Sequence, residues 1–347
     1  MELKMCSNCG ATYSTKICPF CIEKSLSDVD ISKRLRTPSD LDVTALVMCP
    51  PIIQKVFVDN NVFMEEDEEL IGDKFSIDKL FNQWFTIYQV VSQYALILTL
   101  PPNPLLQDLV WVNQFLYLPH VEEPTCIISN FAAEGRDPES DIAENFLAEM
   151  GYKTYRIPDP EWTFEGEPDC RYLKDNIYLA GYGERTSEEA LDWIAEKFDA
   201  KIIKLCKTTD FVYHFDEACC VLSKDKVMVA IPYVDKKTLK EVEKYAEIIP
   251  VEDKDVIEFC IMNNLVIGYT IFAGTYIDIF EPDTEEFNIE MKKIEMLEQI
   301  AFDNGFDLVM FEIGQFMKQG AALSCCFAHL NYADRKYQSY YKEYGGK

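Results

Sequence analysis

From about residue 41 onward, short apolar runs alternate with longer stretches in which apolar residues recur at helical spacing. Short apolar runs bounded by polar or turn-forming residues are typical of buried strands. On this basis we predict strands at 45–48, 94–99, 126–129, 176–179, 212–213, 218–222, 227–230, 265–269 and 308–311.

The longer amphipathic stretches predict helices, because their apolar residues return every three or four positions. They lie at 77–91, 140–150, 187–198, 237–246 and 284–303. In the last of these, Ile294, Leu297 and Ala301 fall on one helical face. Strands and helices that alternate in this way indicate an α/β fold for residues 41–347.

The N-terminal residues 1–24 carry two CxxC pairs, Cys6 with Cys9 and Cys18 with Cys21. Zinc prefers four soft ligands in a tetrahedron, and each CxxC turn supplies two thiolates. The segment is too short for a hydrophobic core, so a structural zinc would replace one. We therefore predict a zinc ribbon at 1–24, followed by a polar linker at 25–40.

The role of this ribbon stays open on the sequence. A redox function for one CxxC pair is the alternative, although neither pair is embedded in a strand–helix unit. As a zinc module, the segment could bind a protein partner, contact a second copy of the chain, or serve only as a structural appendage.

The charge balance changes which ligands are expected. The 347 residues contain 60 acidic and 33 basic side chains, for a formal net charge of −27. Nucleic-acid binding requires clustered Lys and Arg, and anionic membranes attract the same residues, so we expect neither partner. An acidic surface suits a small cationic ligand, although most of this charge is expected simply to keep the chain soluble.

No stretch approaches the roughly 20 consecutive apolar residues of a membrane span, and the N-terminus lacks the apolar core of a signal peptide. We therefore expect a cytoplasmic protein whose 13 cysteines stay reduced. Glycine-rich phosphate loops of the GxGxxG and GxxxxGK[ST] types are absent, which argues against nucleotide chemistry.

Three segments carry candidate catalytic chemistry. His214 and Asp216 are two residues apart, so they would share one face of an extended strand. Cys325 follows a run of small residues that would let a substrate approach a nucleophile. Glu165 lies in a loop that is rich in carboxylates. Taken singly, a lone histidine or a cysteine near small residues is more often structural than catalytic.

Taken together, the order Glu, His-x-Asp, Cys resembles that of the guanidino-group-modifying enzymes. This family contains arginine deiminase, arginine dihydrolase, dimethylarginine dimethylaminohydrolase and the amidinotransferases. Motifs similar to those of the family occur in the same order at 48–51, 60–64, 83–84, 108–114, 129–139, 164–166, 185–186, 214–216, 263 and 320–325.

The resemblance implies a fivefold pseudosymmetric α/β propeller, the pentein fold, in which ββαβ units surround a polar channel. It also implies roles: Cys325 as nucleophile, His214 as general acid and base, and Glu165 as the partner of His214 or of the substrate. Asp216 would hold the guanidinium through a bidentate pair. Further implied substrate-binding residues are Asp108, Gln114, Asn61 and Arg136. No cofactor is implied for catalysis.

Departures from the family pattern keep several functions open. Gln114, next to Asn113, stands where many members have a second carboxylate, and an amide there favours an arginine dihydrolase over a deiminase. The glutamate loop contains Pro168 in place of a second glycine. We therefore predict hydrolysis of the guanidino group of arginine or a close derivative. The alternatives are amidino transfer through the same cysteine intermediate and a non-catalytic scaffold or binding protein on the same fold.

Overall fold

The computed structural model describes residues 37–52, 75–209 and 212–335, together with the strands β1 (Lys4–Met5) and β2 (Thr12–Tyr13). The chain forms two compact units, Met1–Thr37 and Pro38–Lys347. The four cysteines of the predicted ribbon and Asn61 lie outside the described residues, so zinc binding and the role of Asn61 stay predictions.

In the first unit, β1 and β2 pair in antiparallel fashion, with Lys4 opposite Tyr13 and Met5 opposite Thr12. The first CxxC pair lies between these two strands in the sequence.

The second unit contains five three-stranded sheets in the described part of the chain. Their strands are β3 (Ala45–Met48), β4 (Leu96–Thr99), β5 (Phe115–Tyr117), β6 (Thr125–Ile128), β7 (Lys153–Arg156), β8 (Cys170–Lys174), β9 (Ile177–Tyr182), β10 (Lys201–Lys207), β11 (Cys219–Ser223), β12 (Lys226–Ala230), β13 (Glu247–Val251), β14 (Leu265–Ile267), β15 (Thr270–Thr275), β16 (Asp307–Glu312) and β17 (Ala328–His329).

The helices are α1 (Ile77–Val91), α2 (Asp137–Glu149), α3 (Glu188–Phe198), α4 (Lys236–Val242), α5 (Lys254–Glu258), α6 (Glu285–Asn304) and α7 (Gly314–Met317). Side chains start several of them: Ser76, Ser187 and Thr284 each accept a backbone N–H from the first turn. Helix α6 ends at Gly305, whose φ of 74° suits a left-handed cap.

The five three-stranded sheets of the second unit share one topology. Its first pair of strands is antiparallel and its second pair is parallel, as in β5–β6–β7 and β14–β15–β16. A helix joins the two parallel strands, because a parallel connection needs a long crossover. The C-terminal strand β17 completes the sheet of β3 and β4. Each sheet is therefore a ββαβ unit, and one of them is closed by the end of the described chain.

The predicted α/β class is confirmed, and most predicted elements occur within a few residues of their expected positions. One strand prediction is wrong: residues 212–213 are irregular and lead into one turn of 3₁₀ helix at Phe215–Glu217. Several strands escaped prediction, among them β7 and β10, because their charged residues interrupt the apolar pattern. Their place in a sheet comes from parallel pairing with a buried middle strand.

The middle strands are almost fully buried, because the apolar faces of helices and of neighbouring units cover them. The largest core cluster joins β11, β12, β15 and α6, and three further clusters cover the remaining units. Among the residues that the structure describes, no helix combines the length and the apolar character needed to cross a membrane.

Candidate active site

The candidate catalytic side chains lie in the segments that connect one ββαβ unit to the next. Each segment ends at the first, antiparallel strand of its unit. The residues concerned are Asp108 and Asn113 before β5, Glu165 before β8, His214 and Asp216 before β11, Asn263 before β14, and Cys325 before β17. Hydrogen bonds join these segments to one another, for example between Glu165 and His214 and between Asn263 and Ser324.

Glu165 and His214 form a direct pair. Nε2 of His214 lies 2.8 Å from Oε2 of Glu165, and both side chains are buried. The other carboxylate oxygen of Glu165 accepts the backbone N–H groups of Ala132 and Ala133, each at 3.0 Å. The side chain of Arg185 lies 3.6 Å from the same oxygen. Glu165 is thus fixed from two sides and holds the imidazole ring.

These contacts shift both pKa values. Burial opposes ionisation of Glu165, but His214, Arg185 and Arg136 outweigh it and lower the pKa of this carboxyl to about 2. Burial also disfavours a charged His214, yet Asp169 and Glu165 raise the pKa of the imidazole above its ordinary value. His214 is therefore suited to hold a proton and to give it to a leaving group.

Gly166 allows the Glu165 loop to approach its neighbour. It has a φ of +70°, a conformation that side chains other than glycine rarely adopt, and a Cβ here would collide with the carbonyl oxygen of Asn113 and lie 2.9 Å from that of Phe115. The loop is also anchored by Phe164, which pairs with Asn130 in a short antiparallel bridge. Glycine at this position thus sets the position of Glu165.

Asp216 is held by one oxygen. Its Oδ2 accepts the hydroxyl of Ser324 at 2.5 Å and a guanidinium N–H of Arg171 at 2.8 Å. Its Oδ1 is buried and has no hydrogen-bond partner among the described residues. A buried acceptor that lacks a partner costs about 1–3 kcal/mol, so this oxygen favours a ligand that can donate to it.

Cys325 lies in a 3₁₀ turn, Ser324–Cys326, which Asn263 holds from the preceding connection. The side-chain oxygen Oδ1 of Asn263 accepts the backbone N–H of Ser324 at 2.7 Å. The side-chain nitrogen Nδ2 of Asn263 donates to Sγ of Cys325 at 3.6 Å. Burial and the negative charge of Asp216 raise the pKa of the Cys325 thiol to about 12, although Asn263 acts in the opposite direction. Without a bound cation, Cys325 is therefore a neutral thiol.

A cavity opens between these segments. Its wall combines a thiol, an imidazole, carboxyl, amide and guanidinium groups with two aromatic rings. The lining residues are Asp108, Trp111, Asn113, Ala133, Arg136, Arg185, Tyr213, His214, Gln319, Gly320, Ala321 and Cys325. This mixture of a few polar groups and apolar walls is typical of a small-molecule site.

Arg136, which lines the cavity, forms a buried ion pair with Glu139 at 2.7 Å. Arg136 also donates to Oδ1 of Asn113 at 2.5 Å. Glu139 accepts the side-chain amide of Gln114 at 2.9 Å, and burial raises the pKa of this carboxyl to about 7 despite the neighbouring arginine. Asn113, which contacts Arg136, is part of the cavity lining, and Gln114 instead faces Glu139.

Two further buried carboxyls support the segment that carries His214. Asp169 accepts the backbone N–H of Phe215 at 2.9 Å and the hydroxyl of Thr186 at 2.6 Å. Burial raises the pKa of Asp169 to about 6. Glu217 accepts the backbone N–H of Tyr213 at 3.0 Å, and burial raises the pKa of this carboxyl well above its usual value. These bonds replace the strand pairing that the sequence predicted here.

Most of the residues predicted for the site lie in or beside this one cavity. Cys325, His214, Asp108 and Arg136 line it. Glu165 bonds to His214, and Asp216 is near enough to raise the thiol pKa. The adjacent Cys326 is fully buried and does not line the cavity.

Several further residues complete the site. Asn113, Arg185 and Tyr213 line the cavity, and Arg171 and Ser324 hold Asp216. The sequence offers Arg171 and Arg185, together with Arg136, as candidates for binding a substrate carboxylate without choosing among them, and it gives Tyr213 and Ser324 no role. His120 has a structural role, since its ring lies between the Tyr178 hydroxyl and the Phe198 carbonyl, 2.8 Å from each.

Grouped His, Cys, Asp or Glu side chains would indicate a metal site. Within residues 37–52, 75–209 and 212–335, no three His, Cys, Asp or Glu side chains are grouped as metal ligands would be.

The chain is similar in sequence to two curated arginine-metabolising enzymes. The chain is 24% identical over 281 residues to the bifunctional arginine dihydrolase/ornithine cyclodeaminase AgrE of Nostoc sp., and 24% identical over 286 residues to ArgZ of Synechocystis sp.. These matches cover 80% and 82% of the chain but only 37% of each relative. No family model matches the chain.

Solved structures show the same fold. The N-terminal domain of ArgZ, bound to substrate, superposes with a TM-score of 0.68 at 22% identity and covers 83% of this chain and 98% of that domain. A dimethylarginine dimethylaminohydrolase gives a TM-score of 0.58 at 17% identity, again over 83% of this chain and 99% of that one. The mixed α/β fold of small sheets is therefore that of these enzymes.

Proposed function

We propose that this chain hydrolyses the guanidino group of arginine or a close derivative through a covalent intermediate on Cys325. The observation that carries the proposal is a cavity lined by the Cys325 thiol and by the imidazole that Glu165 holds, with the buried Asp216 carboxylate, one oxygen of which has no partner among the described residues, close enough to act on the thiol. The curated relatives named as arginine dihydrolases support the same chemistry.

A guanidinium cation fits this site electrostatically. Its N–H groups would satisfy Oδ1 of Asp216, which has no partner in the described part of the chain. Its positive charge next to Cys325 would lower a thiol pKa that burial holds near 12, so the thiolate would form mainly when substrate is bound. The protein thereby keeps its nucleophile protonated until a suitable cation arrives.

The reaction proceeds in two stages, formation of the S-amidino intermediate and its hydrolysis. Sγ of Cys325 forms a bond to the guanidinium carbon, and one C–N bond of the resulting tetrahedral adduct breaks as His214 gives a proton to the departing ammonia. A water molecule then attacks the S-amidino carbon while His214 accepts its proton, and the S–C bond breaks. Arginine and one water give citrulline and ammonia in this way.

The dihydrolase outcome requires a second hydrolysis. Arginine and two waters then give ornithine, carbon dioxide and two ammonia. We favour this outcome because the cavity wall presents the amide of Asn113, beside Gln114, where a further carboxylate would otherwise face the guanidinium. The relatives' dihydrolase names favour it as well.

The other end of the substrate is an α-carboxylate, which an arginine would recognise best. Of the candidates Arg136, Arg171 and Arg185, the first and third line the cavity. Arg171 is bound by Glu167, Asp216 and Ser324. Arg136 is likewise bound by Glu139, Asn113 and two backbone carbonyls, so we assign the carboxylate to the side of the cavity that Arg185 lines.

Product analysis tests the function. Purified protein is incubated with arginine, and ornithine, citrulline and ammonia are quantified over time. Ornithine with two ammonia per arginine supports dihydrolase activity, and citrulline with one supports a deiminase. An amidino product formed only when glycine or another amine is added would indicate a transferase. No consumption of arginine by folded wild-type protein would contradict the proposal and favour a binding protein.

We further infer that the five ββαβ units form a fivefold pseudosymmetric propeller around the site. The common topology of the five sheets and the placement of site residues on the connections between units support this arrangement. A two-lobed enzyme would not require all five connections to contribute to one site. An experimental structure with arginine-derived ligand bound would test it directly.

The N-terminal unit is proposed to bind one structural zinc ion through Cys6, Cys9, Cys18 and Cys21. Support comes from the spacing of the two CxxC pairs. Metal analysis by mass spectrometry should find about one zinc per chain in the wild type and a loss of that zinc in Cys6→Ser. Equal zinc in both would contradict the assignment. We propose that this unit contacts a protein partner or a second copy of the chain, in the cytoplasm.

A further inference from the structure

A buried chain of ionised groups lies behind Asp216. Arg171, with 13% of its side chain exposed, donates through one guanidinium nitrogen to Asp216 at 2.8 Å and to Ser324 at 3.0 Å. Its other terminal nitrogen donates to Glu167 at 3.1 Å. Arg171 therefore links two carboxylates that come from different connecting segments.

Glu167 is itself fixed by the C-terminal strand β17. One of its oxygens accepts the backbone N–H of His329 at 2.7 Å, and the other lies 2.6 Å from Nδ1 of the same histidine. Burial opposes ionisation, but His329 and Arg171 lower the pKa of Glu167 to about 2. The carboxylate that anchors Arg171 is thus ionised at any working pH.

These contacts occupy one oxygen of Asp216 completely. Oδ2 accepts two charge-assisted or hydroxyl hydrogen bonds, from Arg171 and Ser324, whereas Oδ1 accepts none among the described residues. Turning the carboxylate to present both oxygens to a ligand would break both bonds. A bidentate grip on a guanidinium, as the family resemblance implies, is therefore disfavoured here.

We propose that Arg171 is a positioning residue which ties back Oδ2 of Asp216 and leaves Oδ1 as a single acceptor for the substrate guanidinium. The inference rests on the proposed function, since it assigns a role toward the same substrate. Arg171 reaches the site through Asp216 and Ser324, and it does not itself line the cavity that contains Cys325.

The arrangement has a consequence for substrate choice. A single acceptor oxygen engages one N–H direction of the guanidinium, whereas a bidentate pair would engage two parallel N–H groups. Guanidinium compounds that lack one terminal N–H, such as an Nω-monomethylated arginine, should therefore lose less binding here than at a bidentate site.

The test compares Arg171→Met, Arg171→Lys and wild type in steady-state turnover of arginine. In Arg171→Met, Asp216 loses the bond that fixes its carboxylate, so KM for arginine should rise about 10- to 100-fold. The change in kcat should be smaller, because Asp216 contacts the guanidinium before and during the reaction. Lysine keeps a charged donor and should restore KM to within about 5-fold of wild type. Arg156→Met is the matched control, since Arg156 pairs with Asp141 and Glu144 on the surface.

A second variant keeps the inference testable if Arg171→Met does not fold. Ser324→Ala removes the other bond to Oδ2 and leaves all charges in place. Because both side chains act on one oxygen, the effects of Arg171→Lys and Ser324→Ala on KM should be non-additive in the double variant. A purely structural role for Arg171 would change stability without this coupling.

The outcomes separate the two proposals. Wild-type turnover that Cys325→Ser abolishes supports the function whatever Arg171 does. If the wild type is active and folded Arg171→Met keeps KM within 2-fold, the positioning role is wrong while the function stands. If the wild type does not consume arginine, the function fails first, and the Arg171 assignment fails with it.

Discussion

Asn263 donates its side-chain amide to Sγ of Cys325 over 3.6 Å and accepts the backbone N–H of Ser324 at 2.7 Å. One side chain thus fixes the turn that carries the candidate nucleophile and offers a donor to its sulfur. A donor of this kind stabilises the thiolate relative to the thiol.

Replacement of Asn263 by alanine should therefore raise the thiol pKa of Cys325 further. At a fixed pH of about 9, alkylation of Cys325 by iodoacetamide should slow by about 3- to 10-fold, because only the thiolate reacts. Tandem mass spectrometry that locates the label on Cys325 rather than on the adjacent Cys326 measures this rate separately from the other cysteines. Asn264→Ala is the matched control, since the Asn264 amide donates to the Ile261 carbonyl. Equal rates in all three proteins would contradict a role for Asn263 at the sulfur.

Adjacent cysteines allow a direct test of the nucleophile. Cys325 lines the cavity, whereas Cys326 is fully buried in the core. Cys325→Ser should reduce arginine turnover by at least about 10³-fold with little change in stability. Cys326→Ser should retain the activity of its folded fraction and lose thermal stability instead. The opposite pattern would show that Cys326, and not Cys325, supplies the nucleophile.

The pair of Glu165 and His214 should control the pH dependence of the reaction. Glu165→Gln removes a charge that helps to raise the His214 pKa, so the pKa of the imidazole should fall. Because His214 must donate a proton to ammonia, the alkaline limb of the activity profile should move to lower pH. Glu161→Gln, an exposed change on the same connection, should leave the limb in place.

The substitution Glu165→Gln should also change how the stability of the fold depends on pH. A histidine with a raised pKa stabilises the fold fully below its ordinary value of 6.5 and loses that contribution as pH rises through the raised value. In Glu165→Gln this loss should begin at lower pH. Denaturant unfolding followed across pH 5–9 (about the range in which histidine titrates), together with NMR titration of the three histidines, measures it. An unchanged His214 titration would contradict the coupling.

Glu167 should contribute to acid stability. Its pKa is lowered from 4.5 to about 2, so its stabilising contribution is present above pH 4.5 and is lost as pH falls toward 2. The shift corresponds to about 3 kcal/mol for this buried group. Urea unfolding of Glu167→Gln should therefore show a weaker dependence on pH in this acid window than wild type. Glu149→Gln, at an exposed position, should follow the wild-type curve.

Alanine substitutions at Gly166 and Gly135 distinguish the cost of a positive φ from the cost of a steric clash. Both have positive φ, at +70° and +81°, but only Gly166 has neighbouring backbone within reach of a Cβ. Gly135→Ala should cost about 1–2 kcal/mol, the usual penalty of left-handed backbone. Gly166→Ala should cost more and should also reduce activity, because it pushes the Glu165 loop away from Asn113. Equal losses of unfolding free energy, measured by chemical denaturation, would contradict the close approach.

The amino-acid pattern by itself determined the α/β class, the extents of α1 and β3, and the chain order of the candidate catalytic residues. Local rules suffice for these features: helical periodicity, capping serines and threonines, and short apolar runs are set within a few neighbouring residues. The family-like order of motifs also selected Cys325, His214 and Glu165 before any fold was available.

Other features depend on contacts between residues far apart in sequence. The charged strands β7 and β10 exist because a buried strand pairs with them, and β17 closes a sheet with β3 across more than 270 residues of chain. The same holds at the site, where Gln114 faces Glu139 while Asn113 lines the cavity.

The state of the reacting groups was likewise decided by tertiary structure. The sequence supplied Asp216 as a carboxylate, but only burial and the bonds from Arg171 and Ser324 leave one of its oxygens without a partner. Burial also raises the Cys325 pKa to about 12, which no local pattern encodes. Sequence determines which groups are present, whereas the fold sets their solvation and their partners, and these fix charge and reactivity.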